Sequence, residues 1–244
     1  MDLQQLKCSV AESGNIVFFG GAGVSTESSI PDFCSASGLY QTKSRFSVPP
    51  ETILSRSFFM QHTADFYEFY ISRMIYKDAV PNAAHKALAR LEQVGKLKAV
   101  VTQNIDGLHQ AAGSQKVLEL HGSVHRNYCM DCGTFFDLQH MVSCGGSVPK
   151  CNQCGGTVKP DVVLYEEPLD YAVMEQAAEY ISKADVLIVG GTSLTVNPAA
   201  GLIRYYGGNN LILINQSATT YDSRADYLVH ASIGKVLTEL VEGI

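Results

Sequence analysis

Short runs of apolar and β-branched residues recur along the chain, and most of them lack alternation between apolar and polar positions. A strand that is apolar on both faces is typical of a parallel sheet covered by helices on both sides. The pattern therefore predicts strands with two buried faces. These strands span residues 15–19, 98–102, 117–120, 161–164, 185–189 and 210–214.

Helical patterns lie between these runs. In 83–94 and 171–183 the apolar residues recur at spacings of three and four, which favours amphipathic helices. Gly95 follows the first of them, at the position of a helix-ending glycine. Strands that alternate with helices predict an α/β fold, with a Rossmann-like, doubly wound parallel sheet.

Residues 125–158 interrupt this alternation, because they are rich in cysteine, glycine and polar residues and contain no long periodic run. We predict that they form a small module inserted into a larger α/β domain made of residues 1–124 and 159–244. A second small helical part is expected within 34–80, where an irregular stretch follows the first glycine cluster.

Composition and charge narrow the classes of function. The chain has 18 Lys and Arg against 24 Asp and Glu, a net charge of −6 that is spread without long blocks of one sign. Direct nucleic-acid binding is disfavoured, because it depends on clustered basic residues. The chain shows no signal-peptide pattern and no run of about 18 apolar residues, so we expect no membrane partner and a cytoplasmic location.

Two cysteine pairs indicate a metal site. The motifs "CMDC" at 129–132 and "CNQC" at 151–154 are separated by 18 residues, a spacing typical of a four-thiolate zinc site. Four thiolates leave no position for water, so the predicted zinc ion is structural. The predicted ligands are Cys129, Cys132, Cys151 and Cys154. Cys144 fits a free thiol better than a fifth ligand, because the paired motifs already supply four.

Glycine-rich and polar residues follow several predicted strands. "GGAG" at 20–23 comes directly after the first strand, where glycine lets the backbone approach a pyrophosphate. Thr26 replaces the third glycine of the common dinucleotide motif, so a purely structural turn remains an equal alternative for this segment alone. "GGTS" at 190–193, Asn215 and "TQNID" at 102–106 also follow strands, and together these ends predict one long polar ligand.

With these motifs in order along nearly the whole chain, the sequence resembles the sirtuin family. The residues that carry the resemblance are "GAGVS" at 21–25, "IPDF" at 30–33, "TQNIDGLH" at 102–109, "LHG" at 120–122, the two cysteine pairs, "GTSLTVNP" at 191–198 and "IN" at 214–215. The resemblance implies NAD-dependent removal of acyl groups from protein lysines, with NAD consumed and nicotinamide and O-acyl-ADP-ribose released. The acylated lysine would enter between a Rossmann-like domain and a zinc domain.

The resemblance also implies residue roles. His121 would be the general base that takes a proton from a ribose hydroxyl, and Asn104 would position the reacting groups or water. Taken alone, a single histidine after a strand would be interpreted as structural. The implied NAD contacts are Ala22, Thr26, Phe33, Cys34, Gln103, Ile105, Asp106, Thr192, Ser193, Asn215 and Ile233. For Asp106 a helix cap is the competing interpretation, although it leaves Gln103 and Asn104 unexplained.

One departure from the family pattern concerns NAD. Cys34 stands where the family has an arginine, and cysteine supplies neither the charge nor the donors of a guanidinium. Either Lys43 or Arg45 substitutes, or the enzyme is a weak deacylase in which Cys34→Arg would raise kcat/KM for NAD. The alternatives to a deacylase are a protein mono-ADP-ribosyltransferase and an NAD-binding sensor. Retention of both His121 and Asn104 favours deacylation.

The resemblance implies two further expectations about the binding of the acyl-lysine. The peptide would add a strand beside "VVLYEE" at 162–167, with Val162 and Leu164 near the acyl-lysine. The helix segment "FYISR" at 69–73 resembles a family motif for acidic acyl groups, so Tyr70 and Arg73 would grip a succinyl carboxylate, unless "FYEFY" at 66–70 sets a different register. The protein substrate, the preferred acyl chain and the oligomeric state are not defined by the sequence.

Overall fold

The computed structural model describes residues 3–32 and 48–244. Its strands are β1 (Ile16–Gly20), β2 (Leu97–Thr102), β3 (Val117–Glu119), β4 (Gly122–Cys129), β5 (Phe135–Phe136), β6 (Val158–Val162), β7 (Val186–Gly190), β8 (Leu211–Ile214) and β9 (Tyr227–Val229). Its α-helices are α1 (Leu3–Glu12), α2 (Pro50–Ile53), α3 (Arg56–Gln61), α4 (Thr63–Arg73), α5 (Ala83–Gln93), α6 (Leu108–Ala111), α7 (Leu138–Ser143), α8 (Tyr171–Lys183) and α9 (Ile233–Val241).

The larger sheet has the order β3-β2-β1-β7-β8-β9, and every adjacent pair of strands in it is parallel. Along β1, Ile16 and Phe18 pack against α1, α5 and α9, whereas Val17 and Phe19 pack on the side of α8. Both faces are therefore buried, and the predicted Rossmann-like fold is confirmed. The strand order reverses between β1 and β7, which is where such sheets bind ligands.

The smaller sheet, β5-β4-β6, is antiparallel. It packs with α2, α3, α4 and α7 around a second core that includes Phe59, Phe66, Tyr67, Tyr70 and Met141. The interpretation of 161–164 as a strand of the parallel sheet is wrong, because β6 begins earlier, at Val158, and pairs with β4. A short apolar run specifies burial but not the partner strand, and the pairing here depends on β4, which the sequence analysis did not predict.

Local sequence signals place the two long helices correctly. The Asn82 side chain accepts from the amides of Ala84 and His85 at the start of α5, and Gly95 adopts the left-handed conformation (φ 78°) after its end. Helix α8 matches the predicted 171–183 and is capped by Asp170. Strand β9 was not predicted. In the described ranges, no helix combines the length and apolar character that a membrane crossing requires.

Candidate active site and metal centre

A cavity of about 1070 Å³ lies at the carboxyl ends of the parallel strands and extends to β6 and α4. It brings together residues that are far apart in the sequence. The predicted site residues that line it are Ala22, Arg73, Thr26, Gln103, Asn104, Ile105, Asp106, His121, Val162, Leu164, Thr192, Ser193, Asn215 and Ile233. Phe33 and Cys34 fall outside the described residues, as do Lys43 and Arg45.

Tyr70 is placed differently from its predicted role. Its side chain is fully buried in the second core, stacked on Phe66, and it does not line the cavity, whereas Arg73 does. Tyr70 and Arg73 are three residues apart and so lie on one side of α4, but of the two only Arg73 reaches the cavity wall. Tyr76, which sequence reasoning did not select, lines the cavity near Arg73.

Glycines let the loops after β1 and β7 meet at the cavity floor. The Gly23 amide donates to the Gly191 carbonyl at 2.8 Å, and a Cβ on Gly23 would lie 2.8 Å from the Gly191 Cα. Gly191 also has φ 61°, a conformation that side chains disfavour. A Cβ on Gly21 would lie 2.8 Å from Gln103 Oε1. This close approach leaves no room for side chains at these glycines and brings the backbones of the two loops into direct contact.

A hydrogen-bond network fixes the polar strand ends across the reversal of strand order. Thr192 Oγ1 donates to Gln103 Oε1 at 2.8 Å, and the Thr192 amide donates to Asn215 Oδ1 at 3.0 Å. The Asn215 side-chain amide in turn donates to the Thr192 carbonyl at 3.0 Å. Because Gln103 Oε1 already accepts a bond, its amide nitrogen is the group available to a ligand.

Asp106 accepts one hydrogen bond on each of its carboxylate oxygens. Its Oδ1 accepts from the Leu108 amide at 2.9 Å, just before α6, whose N-cap residue is Gly107, and its Oδ2 accepts from Ser25 Oγ at 2.6 Å. Ser25 Oγ also accepts from Asn104 Nδ2 at 3.1 Å. Ser25 thus links the glycine-rich turn to the segment after β2. Its position in "GAGVS" was the available signal, but its role as a bridge required the fold.

His121 lies where the chain passes from β3 to β4. Its Nδ1 is 3.0 Å from the Gln103 carbonyl oxygen. A carbonyl only accepts, so Nδ1 carries the hydrogen and the neutral ring presents an unprotonated Nε2. Burial lowers the pKa of His121, and the hydrogen bond to Gln103 offsets this only in part. The neutral imidazole is therefore the stable form near pH 7.

The loop after β6 has an unusual backbone conformation at Glu166. This residue has φ 74°, a left-handed conformation that is uncommon for a residue with a side chain. Its carboxylate accepts from the Ser57 amide and hydroxyl, both at 2.9 Å, which holds the loop against the start of α3. Glu167 accepts from Lys159 and from the Leu164 amide. The "YEE" sequence therefore forms an ordered cavity wall.

The four predicted zinc ligands converge. The Sγ atoms of Cys129, Cys132, Cys151 and Cys154 lie within 4.8 Å of one another. The closest separations are 3.4 to 3.7 Å, close to the edge of about 3.8 Å in a tetrahedron with zinc–sulfur bonds of about 2.3 Å. Gly133 and Gly155 have positive φ in the two turns. The donor set fits a structural zinc ion, and Cys144 is not part of the cluster.

Comparisons with known proteins agree with this site. The profile of the Sir2 family matches residues 21–198. Proteins named NAD-dependent protein deacetylase are 64% identical in Clostridium acetobutylicum, over 98% of both chains, and 50% identical in Cutibacterium acnes, over 99% of this chain and 98% of the relative. A solved Sir2 homolog–NAD complex is 37% identical and superposes with a TM-score of 0.86, covering 99% of this chain and 93% of the other.

A second solved structure contains Sir2 with a deacetylated p53 peptide and 3'-O-acetyl ADP ribose. It is 35% identical, with a TM-score of 0.89, over 99% of this chain and 98% of the other. The fold, the strand-end cavity and the four-cysteine cluster together define a Rossmann-like protein with a metal-binding module. The chain belongs to the Sir2 family, the sirtuins.

Proposed function

We propose that this protein is an NAD-dependent protein-lysine deacetylase. The observation that carries the proposal is the position of His121, whose unprotonated Nε2 belongs to a cavity shared by the parallel strand ends and by β6. A base thus lies between the polar strand ends, where we place NAD, and a strand with which a peptide can pair. The relatives' names and the NAD and peptide complexes of the solved neighbours support this assignment.

The polar part of the cavity suits NAD. The closely packed turns of Gly23 and Gly191 would hold the pyrophosphate, and Thr192, Ser193 and Asn215 would hold the adenosine half. Gln103 and Asp106 would bind the ribose and the nicotinamide amide. When bound, NAD supplies an electrophilic ribose carbon with nicotinamide as its leaving group, and with one water consumed the products would be nicotinamide, O-acetyl-ADP-ribose and free lysine.

The remaining residues would orient the acyl-lysine and accept the proton of a ribose hydroxyl. Val162 and Leu164 line the cavity on the side of the small sheet, where an extended peptide can add backbone hydrogen bonds. His121 Nε2 would take the proton of a ribose hydroxyl, a task that suits a neutral imidazole. Asn104 is held by Ser25 at the cavity floor, where its side chain would orient the reacting groups.

The acyl preference is a finer part of the proposal. The Arg73 guanidinium lines the cavity, and no described residue forms an ion pair with it. A free carboxylate on the acyl chain could therefore pair with Arg73, so we propose that acidic acyl-lysines are accepted beside acetyl-lysine. Tyr76 is the tyrosine placed to assist, because Tyr70 is buried in the core.

The test is nicotinamide release from NAD, with and without an acetyl-lysine peptide. We expect release that depends on the peptide in the wild type, little release with His121→Ala, and normal release with His62→Ala, which changes an exposed histidine outside the cavity. Mass spectrometry should identify O-acetyl-ADP-ribose. Transfer of ADP-ribose to protein, or NAD binding without turnover, would contradict the proposal in favour of the transferase or the sensor.

A further inference from the structure

The chain passes between the two sheets twice, and the two crossings lie side by side. His121 lies in the first crossing, between β3 and β4, and Val163 lies in the second, directly after β6. The Val163 amide donates to the His121 carbonyl at 3.0 Å. Next to this bond Gly122 has φ 77°, and a Cβ there would overlap the Asp161 carbonyl oxygen. The orientation of His121 therefore depends on how closely the crossings approach.

Arg126 joins the same two crossings by its side chain. Its Nη1 donates to Glu119 Oε2 at 2.6 Å and its Nε donates to Asp161 Oδ2 at 2.8 Å. Glu119 lies two residues before His121, and Asp161 lies two residues before Val163. His121 and Val163 are the two residues joined by the backbone bond. The guanidinium therefore links the two crossings just before His121 and Val163.

This bridge should hold its partners more firmly than a surface ion pair does, because one of its carboxylates is largely buried. The Glu119 side chain is only 9% exposed, although those of Arg126 and Asp161 are 41% and 44% exposed. Glu119 also accepts from Gln110 Nε2 at 2.8 Å, which fixes its second oxygen. Partial burial would lower the pKa of Arg126, but the hydrogen bonds to Glu119 and Asp161 raise it overall, so the guanidinium stays charged.

We propose that Arg126 is a positioning residue for His121, bridging Glu119 and Asp161 so that the imidazole keeps its hydrogen bond to Gln103 and its aim into the cavity. The inference rests on the proposed function, in which His121 is the base. A lysine cannot replace the bridge fully, because its ammonium lacks the planar fork that reaches two carboxylates in fixed directions. Displacement of the base by about 1 Å is enough to reduce turnover about a hundredfold.

The first measurement does not need activity. In protein with ¹⁵N-labelled histidine, the His121 Nδ1–H signal, assigned with His121→Ala, reports the bond to Gln103 through its exchange with solvent. We expect faster exchange in Arg126→Gln, an intermediate rate in Arg126→Lys, and the wild-type rate in Lys183→Gln, which removes an exposed ion pair with Glu179 on α8. An unchanged exchange rate in Arg126→Gln would overturn the proposal.

The second measurement is steady-state deacetylation by the same variants. Arg126→Gln should lower kcat about tenfold while KM for NAD changes by less than about twofold, because the guanidinium does not line the cavity. Asp161→Asn, which weakens one arm of the bridge, should give a smaller loss. A kcat equal to that of Lys183→Gln would contradict the positioning role. If the wild type shows no peptide-dependent turnover, the proposed function fails, while the exchange measurement still decides the role of Arg126.

Discussion

Thr192 Oγ1 donates a hydrogen bond to Gln103 Oε1 at 2.8 Å, across 89 positions of sequence. The bond joins the ends of β7 and β2, which lie on either side of β1 in the sheet. It fixes which way the Gln103 amide faces, because an oxygen committed to Thr192 leaves the nitrogen for the ligand. If Gln103 contacts NAD as proposed, binding should depend on Thr192 through this bond.

Thr192→Val should remove this bond while keeping the side-chain volume. We expect KM for NAD to rise about tenfold, the cost of misdirecting one buried hydrogen-bonding group, with a smaller change in kcat. Initial-rate kinetics at saturating peptide would measure both. Thr238→Val, which changes a hydroxyl in α9 outside the cavity lining, is the matched control. An unchanged KM for NAD would show that Gln103 needs no such orientation.

The lowered pKa of His121 predicts a pH profile. The base must be neutral, and burial moves its pKa below the ordinary value of 6.5. The acid limb of kcat/KM should therefore have its midpoint below 6.5, with full activity retained at pH 7. Rates measured from pH 5 to 8, with circular dichroism confirming a folded protein, would test this. A midpoint above 6.5 would contradict the neutral ring inferred from the geometry.

Two other histidines should make the fold sensitive to acid. Burial lowers the pKa of His85 to about 4 and that of His109 to about 3, and both His109 ring nitrogens lack a partner among the described residues. Above pH 6.5 both rings are neutral in the folded and unfolded states. Between about 6.5 and about 4 only the unfolded chain takes up these protons, so the free energy of unfolding should fall as the pH falls.

His109→Phe should reduce that slope by about 1.4 kcal/mol per pH unit, the value for one proton. Urea unfolding at several pH values would measure it, since the phenyl ring can keep the contacts with His85 and Phe18. His62→Gln, at an exposed histidine, is the matched control. Equal slopes for wild type and His109→Phe would mean that His109 stays hydrated in the folded protein.

The four-cysteine cluster predicts one zinc ion per chain. Cys129→Ser should abolish zinc binding, measured by plasma mass spectrometry, and lower the thermal midpoint by about 10 °C or more. The small sheet should then become the first site of proteolysis. Cys144→Ser is the matched control, because Cys144 lies outside the cluster and should keep full zinc occupancy. Zinc retained in Cys129→Ser would refute the assignment of ligands.

The proposed role of Arg73 predicts a difference between acyl groups. Arg73→Met should lower hydrolysis of succinyl-lysine relative to acetyl-lysine by about tenfold or more, because one charge-assisted hydrogen bond is lost. Tyr70→Phe should leave both rates unchanged, since the Tyr70 hydroxyl is buried and has no partner among the described residues. Competition between the two peptides, followed by mass spectrometry, gives the ratio directly. An equal loss of both activities would contradict a carboxylate-binding role.

Local rules predicted much of this structure from the sequence. The cysteine spacing indicated the metal centre because two tight turns can close a tetrahedron without help from the rest of the fold. The glycine-rich and polar strand ends indicated the cavity because the carboxyl ends of parallel strands share one edge. Helix α8 followed from the spacing of its apolar residues, and in the structure Asp170 caps it.

What the sequence did not predict depends on partners distant along the chain. The burial of Tyr70 depends on how α4 rotates against α3 and the small sheet, and helix spacing alone does not define that rotation. The prediction assigned β6 to the wrong sheet. Its partner, β4, lies in a segment rich in cysteine and glycine, where the sequence shows no strand pattern. The hydrogen bonds by which Ser25 and Arg126 bridge distant segments could not be predicted, because they depend on the relative positions of strands in the fold.

The cavity is assembled from both ends of the chain. Ala22 follows β1, and Ile233, which also lines the cavity, is the first residue of α9. A nascent chain that has not yet released α9 from the ribosome therefore has the glycine-rich turn but no complete pocket. Stabilisation by NAD, which acts only on the state that binds it, should therefore reach molecules in which α9 is in place and leave those that lack α9 exposed to proteolysis.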